Sequence, residues 1–309
     1  QKGILNLVHS KKALTAYVIV GLVYSVISVV APSISGDLVN SVIYGEGDIK
    51  FYLILLVLTY LFLLVLSVLD QHALMSFKIK EKKAMRNKLF SSFLKKKGQN
   101  SEQVAAFSSF VNNDMPCVVE DYYAGAVDII KCICIILCVV VKLLDVHWLL
   151  AFVIVGSSIL ITAIPNTMRK YVGKVRGKYG AAMEDYNGAQ HSLLSGANTV
   201  KVTGFDKRAR DIIQEKNEAI VSEEKKLNKS QLRVVGVAGG MQILKRVLIL
   251  AVGVYLIYID AIKVGGLLVA VQLAEVLAMP AEMLAYMQNA RNQAKPLVEK
   301  YDKLTSVED

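Results

Sequence analysis

The sequence predicts an all-α protein that crosses a membrane several times, and three observations carry that expectation. The 309-residue chain is 54% hydrophobic, with a mean hydropathy of +0.44, above the roughly 45 to 50% apolar share of soluble domains. Its apolar residues are gathered into runs of the length that spans about 30 Å of hydrocarbon, which takes about 20 residues of helix. Its cations are concentrated between those runs rather than within them.

Taken in order, residues 13–36, 51–69 and 146–168 carry no formal charge, with His147 neutral, and each reads as a span. Three further runs are interrupted: 116–141 by Glu120, Asp121, Asp128 and Lys131, 234–259 by Lys245 and Arg246, and 264–287 by Glu275 and Glu282. Allowing for helix ends, six spans are expected at about 13–36, 50–72, 115–141, 146–168, 234–259 and 264–287.

The polar connectors differ in kind. After the second run, 78–97 has few helix breakers and mixes apolar with basic residues, so the helix is expected to continue. Gly98, Gln99, Asn100 and Ser101 interrupt it, 102–110 forms a short amphipathic piece, and Asn112, Asn113 and Asp114 offer caps ahead of Pro116. The second excursion has helical composition over 169–194 and 208–233, divided by the turn-forming SGANTVKVTGFDK. At about 1.5 Å per residue each arm reaches some 35 Å beyond the bilayer. Such a reach implies that the turns, at about 100–112 and 194–206, are presented to something in the cytoplasm.

The net charge of +10 does not indicate nucleic-acid binding, because of its placement. Residues 77–112 hold nine Lys or Arg against two acids, and 169–233 hold fourteen against eight, whereas the short connectors 37–50, 142–145 and 260–263 are not enriched in base. This is the positive-inside asymmetry, which puts both termini and both long connectors in the cytoplasm and part of the basic excess beside anionic lipid. Little sequence remains to build an exposed basic domain for nucleic acid. Cys117, Cys132, Cys134 and Cys138 lie in or beside the third run with no histidine pattern, and read as packing groups rather than a zinc site. No signal peptide is read at the N-terminus, where Lys11 and Lys12 precede a run too long for one. The start at Gln1 rather than Met suggests an upstream piece.

Three stretches resemble the transmembrane domain of ABC transporters with the exporter-type fold. KVGGLLVAVQLAEVLAMPAEMLAYMQNARNQAKPLVEKYDKL, from Lys263, is similar to that family's last span, with glycines at its start, a proline partway and a basic amphipathic tail. SSFVNNDMPCVVEDYYAG, from Ser108, resembles the exit from the first coupling helix, with Asp114 as the family-like aspartate. LLSGANTVKVTGFDKRARDII, from Leu193, resembles the second coupling region. The first coupling turn departs from the pattern, with Asn100, Ser101 and Glu102 where a Gly-Asp or Gly-Glu pair is common.

The resemblance implies a half-transporter that pairs with an identical or related copy. ATP and magnesium are expected in a nucleotide-binding domain, fused after Asp309 or carried on a separate subunit, since this chain has no GxxxxGK[ST] stretch and no catalytic site of its own. Coupling contacts are expected from Glu102, Phe107, Asp114, Val200, Phe205 and Asp206. It also implies an integral protein of a bacterial plasma membrane, moving an amphipathic drug, lipid or peptide, most simply outward.

Charges within spans are expensive and mark functional candidates. By helical rise, Glu275 lies roughly 16 Å from the outer boundary, Lys245 roughly 21 Å and Lys131 roughly 15 Å. Glu275 with Lys245 or Arg246 is expected to line the cavity, and Glu282, seven residues on and on nearly the same face, to lie near the inner mouth. Lys131 is a further cavity candidate, and Pro280 a hinge. The alternative for the cations is a buried pair or snorkelling side chains. Two other functions stay open: uptake of a metal chelate by the same fold, and a membrane scaffold that transports nothing.

Overall fold

The computed structural model describes residues 8–95 and 101–305, all helical apart from short turns. The helices are α1 (Lys11–Tyr44), α2 (Ile49–Lys95), α3 (Ser101–Ser109), α4 (Gly125–Val146), α5 (Trp148–Ser195), α6 (Ala197–Thr203), α7 (Asp206–Tyr258) and α8 (Val264–Thr305). Between α3 and α4 the chain stays coiled as two wide π-helical stretches, Phe110–Asp114 and Val118–Ala124, on either side of the single turn Met115–Cys117. The predicted interruption at Gly98, Gln99 and Asn100 lies outside the described residues.

Four of these helices, α1, α2, α7 and α8, are long and apolar enough to cross a membrane. Six spans were expected. In α4 every stretch of spanning length carries at least three of the charges Asp128, Lys131, Lys142 and Asp145, and in α5 the apolar stretch among the described residues is Trp148–Ile161. The connector expected after 141 is itself helical: α4 runs on to Val146, with Lys142 and Asp145 paired at 2.9 Å, and breaks only at His147, whose backbone is extended.

The chain divides into two compact units, one of residues up to Val155 and from Leu248 onward, the other Gly156–Val247. In the first unit α1 packs against α2, α4 and α8, and α8 against α4. The α1–α8 contact is close because glycines meet there: a Cβ on Gly265 would overlap the Gly36 carbonyl oxygen, and a Cβ on Gly36 the Val269 side chain. Small residues of this kind let helix backbones approach within lipid. The backbone N–H of Gly265 donates to Asn40 Oδ1 at 2.9 Å, fixing the register of the crossing. The GxxxG pair read from the sequence, Gly236 and Gly240, faces open space instead.

Two apolar cores fill this unit. One gathers Val29, Val139, Leu143, Leu150, Ile249 and Leu273. The other, around Tyr17, Phe77, Met85, Phe110, Tyr123 and Tyr301, joins the start of α1, the polar half of α2, the π-helical segment and the end of α8. Asn112, Asn113 and Asp114 were expected to cap a new helix before Pro116, but no side-chain cap forms. The wide turns remove the need: Met115 donates five residues back to Phe110 and Gly125 five back to Glu120, so the coil passes the proline without ending.

Within the second core, Glu81 anchors the segment leading into α1. It is completely buried, and it accepts from the His9 N–H at 3.0 and 3.1 Å, the Ser10 N–H at 2.8 Å and the Ser10 hydroxyl at 2.6 Å, with His9 Nδ1 at 3.0 Å. Burial pushes the carboxyl pKa up, but these bonds outweigh it and hold the group below its ordinary value. A carboxyl depressed by folding adds stability above its unfolded pKa, about 4.3, and that stability is lost as pH falls through the lower folded value. Hydrogen exchange at Ser10 and Leu14 is therefore expected to stay slow at neutral pH and to accelerate only well below about pH 4.3. Glu81→Ala, which strands several buried donors, is expected to accelerate it at every pH and to cost about 2 to 3 kcal/mol in thermal unfolding.

Candidate functional site

The first cluster of charges forms where α1, α2 and α4 meet. Lys131, on α4, places its ammonium 2.8 and 3.1 Å from the two carboxylate oxygens of Asp70 on α2, and 3.4 Å from Asp128 one turn back on its own helix. Tyr17 of α1 closes the ring: its hydroxyl donates to Asp128, accepts from Lys131 at 3.2 Å, and its ring lies beneath the ammonium at 4.4 Å. The Lys131 and Asp70 side chains are 13% and 10% exposed, so the bonds are made largely out of water. Gly21 creates the room, since a Cβ there would sit 2.5 Å from Lys131 Cδ.

This arrangement offers no open ammonium to a substrate. Every donor direction is directed at a carboxylate or the phenol, and the geometry ties three helices together. The sequence reading had singled out Lys131 but neither of its partners on the other helices. Asp70 was passed over because it stands one residue beyond a charge-free run. Tyr17 is one of fourteen tyrosines and has no distinguishing local signal.

In the second unit Lys245 is buried and donates to Ser158 Oγ at 2.9 Å, while Arg246, its neighbour on α7, is exposed. In the first unit Glu275 and Glu282 both lie on exposed positions of α8, and Pro280 between them is buried within an unbroken helix. The carboxylates therefore share a face that the surrounding helices of this unit leave uncovered.

The residues expected to transmit force lie at two turns. At the first, Asp114 pairs with Lys300 of α8 at 2.6 Å, and Phe107 of α3 packs on Phe93 of α2 with ring centroids 4.8 Å apart. Glu102 is exposed in the first turn of α3. Lys82 and Lys78 of α2 reach Glu120 at 2.6 and 3.7 Å, so the π-helical segment is held by salt bridges on one side and by Lys300 on the other. Lys300 had drawn no attention in the sequence, because its partner lies 186 residues away.

At the second turn, α6 is a helix of two turns set between the ends of α5 and α7. Gly204 closes it in the left-handed conformation, φ 69°, which costs glycine nothing. Val200 and Asp206 line an open groove of about 860 Å³ together with Tyr186, Leu193, Arg210 and Ile213. Leu194, Val202 and Phe205 stand exposed around it, Val202 at 87%. Three large apolar side chains on one tip form a surface of the sort that a partner covers.

The Lys131 network makes a direct prediction. Lys131→Met leaves Asp70 and Asp128 facing each other without a cation and is expected to destabilise the purified protein by about 3 to 5 kcal/mol. Adding Asp70→Asn is expected to restore much of that loss, as read by thermal unfolding in a double-mutant cycle.

Comparison with known proteins comes down to one finding. A family model described as the ABC transporter transmembrane region matches residues 14–281, from the first apolar helix to one residue past Pro280. No curated protein sequence matches the chain. The match covers well over half the chain and takes in α1, the Lys131 network, both turns and the face bearing Glu275. The chain is an integral membrane domain and belongs to the ABC transporter transmembrane family.

Proposed function

We propose that the chain is the membrane-spanning half of an ATP-driven transporter with the exporter-type arrangement, moving an amphipathic drug, lipid or peptide by alternating access. The observation that carries this reading is the tip formed by α6 and its flanking turns. Within a family whose members work with ATPases, a two-turn helix with exposed Leu194, Val202 and Phe205 beside a groove has the chemistry of a docking surface. Nucleotide-driven motion of an ATPase domain, held on the same polypeptide or on a partner, enters there and at the Glu102–Asp114 turn. ATP and magnesium act in that domain and not in this chain.

Six spans are part of the proposal, with α4 and the start of α5 completing the set. Of the charges that disqualify α4 by composition, Asp128 and Lys131 are held in the network with Tyr17 and Asp70, and Lys142 and Asp145 pair with each other, which lowers the cost of placing that helix in lipid. A second, identical or related copy is also part of it. In the second unit Ile161, Ile220 and Leu227 are the buried apolar side chains among the described residues, and most of its other large apolar groups await cover by lipid or by another chain. Glu275, Glu282, Lys245 and Arg246 are assigned to the translocation pathway, with Pro280 as a bend between the two carboxylates. Lys131 is assigned to holding α1, α2 and α4 together. The direction of movement proposed is outward.

Two measurements on the membrane-embedded transporter with its ATPase test this. Phe205→Asp is expected to lower transport by about tenfold or more, as loss of an apolar anchor at an interface does, while leaving membrane insertion and helix content unchanged. Unaltered transport would remove the α6 tip from the mechanism. Glu275→Gln is expected to shift the dose-response of substrate-stimulated ATP hydrolysis more than the basal rate; an unchanged curve for every transported ligand would take Glu275 out of the pathway.

A further inference from the structure

In the second unit, three side-chain contacts set α5 and α7 in antiparallel register. Ser158 meets Lys245 at 2.9 Å, Tyr171 meets Arg233 at 3.1 Å, and Asp185 meets Lys216 at 3.6 Å. The contacts advance along α5 as they retreat along α7. The segment 170–178 of α5 therefore lies level with 225–233 of α7, in a band about 12 Å deep.

Neither segment contains an acid. Lys174, Arg176 and Lys178 on α5 and Lys225, Lys229 and Arg233 on α7 are all exposed, and none has a carboxylate partner among the described residues. Arg233 donates to a tyrosine hydroxyl rather than to a carboxylate. Lys226 is the exception, drawn back to Glu223 at 2.5 Å. Away from the band the same helices carry mixed charge, as in the Asp185–Lys216 pair.

On its other side the band borders the apolar half of the unit, where Ile159, Leu160, Val235, Val237 and Ile243 are exposed. Tyr171 and Arg233 sit at that border. An exposed apolar surface, then an aromatic, then an acid-free belt of cations is the order of groups met on leaving hydrocarbon for a headgroup layer. Cations that served only solubility would be expected to mix with acids, as they do farther along the helices.

We propose that this belt is a binding site for the phosphates of anionic phospholipid headgroups in the cytoplasmic leaflet. Arginine takes a phosphate through paired N–H groups and lysine takes it as a point charge, and two adjacent helices supply both types at one depth. The occupant is lipid rather than free phosphate because the belt is continuous with an exposed apolar surface that acyl chains can cover and a soluble phosphate cannot. The inference needs the membrane location and not the transport reading, so either can fail alone.

The test uses the full-length protein in nanodiscs of phosphatidylcholine containing a minority of phosphatidylglycerol, with the lipid shell read by quenching from brominated phosphatidylglycerol. Enrichment of phosphatidylglycerol over the bulk mixture by several-fold is expected, falling as salt is raised. Combined Lys174→Gln, Arg176→Gln, Lys178→Gln and Lys229→Gln is expected to abolish most of it, whereas Lys207→Gln with Arg208→Gln, far from the apolar border, leaves it in place. Soluble glycerophosphate is expected not to compete; competition would reassign the belt to a free phosphate ligand and overturn the proposal. A shell with bulk composition or without salt dependence would overturn it, as would enrichment that survives the fourfold change. So would protection of these lysines from acetylation in pure phosphatidylcholine, which would mean that another protein surface covers them. If the fourfold variant does not insert, the wild-type enrichment and its salt dependence decide the question.

Discussion

The bond that the first unit depends on is the charged contact from Lys131 to Asp70 and Asp128, completed by Tyr17. A lone ammonium or carboxylate in a low-dielectric interior is costly enough that it must find a partner or change its protonation. Here one cation, two carboxylates and a phenol come from three helices, so the electrostatic requirement can be met only when α1, α2 and α4 are in register. Apolar packing alone specifies that register weakly in a membrane, because lipid tails solvate leucine about as well as another helix does. The polar ring adds the missing specificity, and Gly21 contributes by being small.

A comparable device operates in the second core of that unit. Glu81 holds the approach to α1 through four donors from two residues, and the rings of Phe110 and Tyr301 stack nearby at 6.0 Å. Lys300 beside Tyr301 reaches Asp114. The start of α1, the polar half of α2, the turn after α3 and the last turns of α8 are therefore held by one set of contacts. The Glu102–Asp114 turn is therefore tied to the end of α8 through Asp114 and Lys300. The π-helical turns before α4 contribute by keeping the coil continuous past Pro116.

The residues that attracted attention as isolated intramembrane charges separate once their surroundings are known. Lys131 is enclosed by partners, and Lys245 is buried against Ser158. Glu275 and Glu282 lie at exposed positions of α8. Carboxylates at exposed positions in the apolar part of a long helix suit a water-lined pathway, and the proposed pathway is placed on α8 for that reason.

Much of the molecule was legible in the linear chain because the relevant physics is local. Helix composition and run length follow from neighbouring residues, and they determined that the protein is helical and enters the membrane several times. Gly204 and the turn-forming residues around it likewise announced the break that encloses α6. What only the tertiary structure decided involves partners far apart in sequence: Asp70 with Lys131, Lys300 with Asp114, Gly36 against Gly265. The caps expected at Asn112, Asn113 and Asp114 failed for the same reason. Their local preference was real, but packing held the coil continuous through wide turns, and Asp114 gained more from a lysine 186 residues away than from the backbone beside it.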